Sequence, residues 1–325
     1  MAKKIKDTKL RYSGPVFKTF TWVTFALLLF YALSLLLLLY FGLLTSLKGQ
    51  VDFRYSNGGK GNILGLPNLS LPDAMDYLKL KNYGDILDGF STPYTTPAYF
   101  LGNRLVSSRT LEINFWTMLV NSVFYVIGGA FFLTIGKMIM GYMCALYKNP
   151  VSKFIYMMAI VTMVIPIVGT TPAMLTLMRN IGLYDTFIGN YIQKFSYEGM
   201  YYLIFFEFFC SMSTAYKEAA EIDGASQFRV MVMIYFPLAA KMFSTIYLIN
   251  AITLWNDYNT VLLYLPSHPT VTYGVFLASF GHDQDRYPYP YRIAATMLLA
   301  VPTMTVFFIF KDRIMGNLSM GGLKE

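Results

Sequence analysis

Six stretches of this sequence, 20–44, 118–146, 154–177, 191–212, 237–262 and 293–310, are apolar over the length of about 20 residues that a helix needs to cross a bilayer. No other feature constrains the chain as tightly, and it predicts an all-α polytopic membrane protein with six transmembrane helices. Composition agrees: only 14% of the residues are charged, against about a quarter in a soluble domain. The formal net charge of +8 therefore has a topological reading. Lys3, Lys4, Lys6, Lys9, Arg11 and Lys18 precede or open the first run, Lys148 and Lys153 follow the second, and Lys311 and Arg313 follow the last. The positive-inside rule places these ends in the cytoplasm, so both termini are expected there. The basic excess is explained without nucleic acid as a partner. Cys144 and Cys210 lie inside apolar runs, where they read as small hydrophobes and not as a disulfide or metal pair. The first run, about 25 residues long without a small-residue cleavage site, reads as a retained anchor.

The expected organisation is a cytoplasmic tail (1–18), a first transmembrane helix (19–47), an extracytoplasmic insertion (48–112), a core with five transmembrane helices (113–311) and a second cytoplasmic tail (312–325). In the insertion, Ser70 followed by Pro72, Asp73 and "AMDYLKL" predicts one short helix capped by Ser70. The rest of the insertion reads as loop. Within the apolar runs Lys137 and Glu207 are costly, and two readings stand: they pair across the bundle, or each turns toward water or snorkels. His282, Asp283 and Asp285 in "GHDQDRYPYPYR" lack the convergent spacing of a metal site and read as a turn, so no metal is expected.

Between the fourth and fifth runs stands "KEAAEIDGASQFRVMVMIYFP", 217–237, with five charged residues and a glycine in an otherwise apolar neighbourhood. "YKEAAEID" predicts a short helix ending at Gly224, whose backbone reaches the left-handed region at little cost. A second helix from Ala225 is expected to align Phe228, Met231, Val232 and Tyr235 on one face until Pro237 ends it and opens the fifth run. The small residues Ala219, Ala220, Gly224 and Ala225 keep this elbow narrow, and Glu218, Glu221 and Asp223 give it an acidic edge suited to a basic partner. The competing reading is an amphipathic hairpin lying on lipid headgroups. Acidic residues are disfavoured at a negatively charged leaflet, and small residues suit protein contact.

The stretch "EAAEIDGASQFRVMVMIYFPL" resembles the EAA signature of the permease subunits of ABC importers. The likeness extends to "LKNYGDIL", "NSVFYVIGG", "IPIVGTTPAMLTLMRNIGLYDTFIG", "LWNDYNTVLLYL" and "GNLSMGGLKE", and points to the six-helix subunit of bacterial carbohydrate importers of the maltose-permease type. Ser213, Ala215 and Lys241 depart from the usual pattern. The resemblance implies a type I importer permease in the bacterial plasma membrane, with 216–236 as its coupling helix. Glu218, Ala219, Ala220, Asp223, Gly224, Ala225 and Phe228 would form the contact with a separate ATPase. It also implies a second homologous permease subunit, two ATPase subunits and an extracytoplasmic substrate-binding protein, with a carbohydrate as substrate. The chain has no phosphate loop of its own, because neither "GGKGN" nor "TIGKM" fits, so no cofactor is expected in it and ATP and Mg²⁺ belong to the ATPase.

A sugar presents hydroxyls to amides and carboxylates and a ring face to aromatics. Asn121, Asn250, Trp255, Asn256, Asp257 and Tyr258 are therefore the candidates for a substrate path. Trp255 and Tyr258 read equally as an interfacial aromatic belt, and Asn250 as a bond between helices. Two other classes meet less support. An ion- or proton-coupled carrier would more often show an internal repeat and a midplane acid. A membrane-embedded enzyme would need clustered His, Asp, Ser or Cys, and the chain has two histidines.

Overall fold

In the computed structural model, residues 15–50, 53, 80–96, 99–101, 104–106, 109–165, 169–197, 199–281 and 286–318 are described. The chain forms two compact units, 1–82 and 83–325. The first holds α1 (Pro15–Ser46), 32 residues of apolar helix with nearly every side chain from 18 to 39 exposed. The short helix expected after Ser70 lies outside the described residues. So do His282, Asp283 and Asp285, and all of "GNLSMGGLKE" beyond Leu318.

The second unit begins within α2 (Lys81–Gly89). Part of the insertion expected as loop is sheet. Strand β1 (Ser91–Thr96) pairs antiparallel with β4 (Arg109–Asn114), from Ser91 opposite Asn114 to Thr96 opposite Arg109. Strand β2 (Tyr99–Leu101) pairs with β3 (Arg104–Val106). Alternation in "STPYTT" and "RTLEIN" is weak, and Pro93 argues against a strand, but among the described residues β1 pairs only with β4, and an edge tolerates proline. The Glu112 carboxylate accepts from Ser91 Oγ at 2.6 Å and from Arg286 Nη1 at 3.0 Å, which fastens this ribbon to the residues leading into the last helix.

Helix α3 (Phe115–Leu146) is the spine, capped by the Asn114 side chain, which accepts from Thr117 N–H. The third and fourth apolar runs do not form single helices. The third splits into α4 (Pro150–Val164) and α5 (Thr170–Asn180), and the fourth run with its approach into α6 (Phe187–Lys194) and α7 (Met200–Cys210). Gly169 and Gly199, both at positive φ, stand immediately before α5 and α7. Then come α8 (Ala215–Ile222), α9 (Gln227–Val230), a π-turn (Met231–Tyr235), α10 (Phe236–Trp255) and α11 (Asn259–Tyr264). Helix α12 (Val271–Phe280), which the sequence pattern does not predict, precedes α13 (Tyr289–Leu318). Among the described residues four helical stretches are long and apolar enough to cross a membrane unbroken: 18–46, 115–146, 227–255 and 289–312.

Among the described residues four cores string along α3, one of them joining Cys144 to Ala159 and Tyr202. At its start, Phe115 and Met118 pack with Ile86, Phe90, Val275, Tyr287 and Tyr291. In the middle, Tyr125 and Ala130 meet Leu254, Val261 and Leu265. At its end, Met138, Tyr142 and Ala145 join Phe205, Phe209, Ala220, Val230, Tyr235, Ala239 and Ile246. One rod of 32 residues, roughly 48 Å long, thus contacts every core of this unit.

Candidate functional site

The elbow is a helix terminated by a complete Schellman motif. Asp223 is the C-cap of α8, and the Ala225 N–H returns to Ala220 C=O at 2.9 Å while the Gly224 N–H returns to Glu221 C=O at 3.0 Å. Gly224 has φ +76°, as the sequence predicts, and a Cβ there would meet no atom within 4 Å, so backbone conformation and not crowding selects glycine. The hydrophobic contact typical of the motif is present: Ala220 is buried and Ala225 packs against the same core. Ser226 caps α9, accepting from Arg229 N–H.

The second half of the elbow differs from the expected arrangement. Phe228 is 71% exposed and Val232 is also exposed, whereas Val230 and Tyr235 are fully buried and Met231 is half-buried. The face that ties the elbow to the bundle is therefore Val230 and Tyr235, five residues apart. The cause is the π-turn at 231–235, in which Phe236 N–H bonds to Met231 C=O, so that one extra residue per turn shifts the buried face. The same turn explains why Pro237 does not end the helix: 227–255 runs as one helix through it. A proline removes one backbone donor and displaces the preceding turn, and the wider π geometry accommodates that.

A polar clasp fixes the elbow to the end of α3. Tyr147 O–H donates to Gln227 Oε1, Gln227 Nε2 donates to Glu221 Oε1, and Lys217 Nζ lies 3.7 Å from Glu221 Oε1 and 4.4 Å above the Tyr147 ring. Beneath it the Tyr142 ring meets Tyr235 at 5.2 Å and Phe209 at 5.6 Å. Outside the clasp, Glu218, Ala219, Asp223 and Gly224 are exposed, and two large apolar side chains stand out: Phe228, and Ile222 at 86%. Ile222 is missing from the residues selected by sequence. It lies one helical turn after Glu218, on the same face of α8, and that spacing was the available signal. The elbow thus exposes Ile222 and Phe228 together with the carboxylates of Glu218 and Asp223, and is rooted in the core of α3, α7 and α10.

A model of the family of binding-protein-dependent transport system inner membrane components matches residues 137–319, a span that contains this elbow. The chain belongs to that family. This inner membrane transport component is 31% identical over 225 residues to a putative ABC transporter permease protein of Caldicellulosiruptor sp., covering 67% of this chain and 79% of the relative. It is 24% identical to the diacetylchitobiose uptake system permease protein NgcG of Streptomyces coelicolor, covering 74% and 79%. The melibiose/raffinose/stachyose import permease protein MelC of Bacillus subtilis is 26% identical, covering 60% and 71%. Its fold matches a chain in the crystal structure of a bacterial ABC transporter involved in the import of the acidic polysaccharide alginate. The TM-score is 0.64 at 20% identity, over 93% of this chain and 98% of the other. The fold is that of a type I importer permease, and the chain is a transporter subunit, not an enzyme.

The six residues selected for a substrate path are mostly engaged within the transport component itself. Asn250 Nδ2 donates to Thr134 Oγ1 at 2.9 Å, joining α10 to α3, and Asn121 Nδ2 donates to Pro269 C=O at 3.1 Å. Trp255 Nε1 donates to Leu299 C=O, and Trp255 C=O accepts from Thr272 Oγ1. Asp257 accepts from Tyr125 O–H at 2.7 Å and from Thr260 N–H at 3.0 Å. Asn256 and Tyr258 are exposed, Tyr258 stacking on Phe276 with centroids 3.9 Å apart. Lys137 and Glu207 do not pair: Glu207 is exposed, and the buried Lys137 places Nζ 3.4 Å from Leu133 C=O and Ser196 Oγ. "TIGKM" lies inside α3, which cannot form a phosphate loop.

Proposed function

We propose that this chain is the permease subunit of an ATP-driven ABC importer for a carbohydrate, and that its elbow docks in a cleft of a separate ATPase that holds ATP and Mg²⁺. The observation that carries the reading is the exposure of Ile222 and Phe228 together with Glu218 and Asp223, on an elbow rooted in the core between α3 and α10. Closure of the ATPase would push this joint and rock the bundle between inward-open and outward-open states. Relatives named for diacetylchitobiose and melibiose/raffinose/stachyose uptake support a carbohydrate substrate. The working complex holds a second, similar permease, two ATPases and an extracytoplasmic binding protein, with both termini of this chain in the cytoplasm. Of the path candidates, Asn256 and Tyr258 keep the exposure that a sugar contact needs.

The test uses the whole importer in membrane vesicles supplied with raffinose, lactose, trehalose and diacetylchitobiose, each radiolabelled. ATP-dependent accumulation of at least one is expected, and accumulation of none overturns the carbohydrate reading. Glu218→Arg and Gly224→Val should lower both uptake and co-purification of the ATPase while the amount of chain in the membrane stays the same. Unchanged co-purification would overturn the docking.

A further inference from the structure

Asp257, Lys194 and the buried Tyr125 form a cluster that the transport mechanism above leaves unused, with the two charged side chains largely, not fully, covered at 21% and 12% exposure. Lys194 ends α6, Tyr125 lies in α3, and Asp257 lies in the turn between α10 and α11. Tyr125 is fully buried and donates its hydroxyl to Asp257 Oδ2 at 2.7 Å. Lys194 Nζ stands 4.0 Å from the same oxygen and 5.1 Å from the centre of the Tyr125 ring, with its side chain only 12% exposed. The other carboxylate oxygen, Oδ1, accepts from Thr260 N–H, in the first turn of α11, at 3.0 Å. Room for the Lys194 stem is built in: a Cβ on Gly129 would lie 3.2 Å from Lys194 Cδ and 2.9 Å from Leu254 Cδ1.

We propose that Asp257 is a positioning residue that welds α6, α3 and the α10–α11 turn into one rigid body, so that movement imposed on the elbow reaches the remote end of the bundle without slippage. A largely buried charge left without its partner is unfavourable, and the Asp257 carboxylate already accepts from Tyr125 and Thr260 with Lys194 at ion-pair distance. The mechanical path is continuous. Tyr142, in the elbow's core, lies seventeen residues further along α3 than Tyr125, roughly 25 Å on the same rod. Helix α10 likewise runs from the elbow's core at Ala239 to the cluster's neighbour Leu254.

This inference rests on the importer reading, and the experiment separates the two. The intact importer is assayed with the panel sugar that the unsubstituted complex accumulates, and absence of uptake by the unsubstituted complex counts against the importer reading alone. Asp257→Asn and Lys194→Met should each lower the maximal uptake rate about tenfold with KM unchanged and ATP hydrolysis retained. The double variant, which removes both charges, should recover most of the rate. Tyr125→Phe keeps the ring and should give a smaller loss with the same pattern. A double variant no better than the worse single one overturns the proposal. So does a raised KM at Asp257→Asn with an unchanged maximal rate, which would make Asp257 a sugar contact. Membrane yield and melting temperature of each complex are measured alongside. If the double variant fails to fold, Lys194→Arg decides by itself: retained charge should preserve the rate, and its loss overturns the weld.

Discussion

Gly224 condenses the chemistry of the elbow into one backbone angle. An L-residue at its φ costs about 1–2 kcal/mol, and because the space beyond its α-carbon is open, Gly224→Ala imposes that cost without collision. The variant is expected to fray α8 and speed proteolysis between 215 and 230, with the melting temperature of the remaining chain unchanged. Gly224→Asn should lie between, since asparagine visits this region more readily than alanine. Glu112 gives a residue-scale prediction in pH. The Ser91 hydroxyl and then the Arg286 guanidinium hold its carboxyl below the usual carboxylate range. Its contribution to fastening the β1–β4 ribbon is therefore complete above the ordinary glutamate range and fades as pH falls through the lowered value. Proteolysis of the ribbon should rise at the acidic end in the natural chain, and Glu112→Gln should remove that dependence. Gly224 was legible from sequence because a local signal, a helix stop followed by small residues, determines it. The partners of Glu112 were not, since Ser91 and Arg286 are brought together only by the tertiary fold.

At the scale of elements, the π-turn at 231–235 decides which face of the elbow is buried. Deleting Val232 alone would turn the π-turn into an ordinary α-turn that keeps Val230 and Tyr235, then four residues apart, on one face, so uptake and ATPase association should largely persist; deleting both Val232 and Met233 would rotate α9 by about 100° relative to α10 and draw Val230 out of the core it shares with Ala220. For that double deletion, uptake and ATPase association are expected to be lost while membrane insertion of the chain persists, as read by alkali extraction of membranes. An alanine at Pro237 leaves the residue count intact and should be far milder. Periodicity could not reveal this turn, because the apolar pattern of "FRVMVMIYF" satisfies α-helical spacing with a different set of residues. The broken third and fourth runs escaped it for a related reason: apolar content measures burial or lipid contact, not continuity. The punctuation was present in Gly169 and Gly199. Helix α12 was missed because "VTYGVFLASF" is too short to count as a spanning run.

At the scale of the whole molecule, the family and the all-α fold were legible because hydropathy and one motif carry them. The β-ribbons, and the use of Asn121, Asn250 and Trp255 as bonds within the chain, required three-dimensional neighbours. Much apolar surface remains exposed, including Phe131 beside a groove between α3, α10 and α13 that the half-buried Phe310 also lines. A lipid bilayer and partner subunits are the media for such a surface. Native mass spectrometry of the importer extracted in mild detergent is expected to find one copy of this chain, one similar permease and two ATPase subunits. Two copies of this chain in one complex would refute the heterodimer. The Lys194–Asp257 contact also bears on how the molecule is made. Synthesis proceeds from the N-terminus, so this lysine emerges well before Asp257 and stays without that carboxylate until α10 and the turn after it have been made. Truncation of the chain between the two would therefore leave a stranded cation in α6.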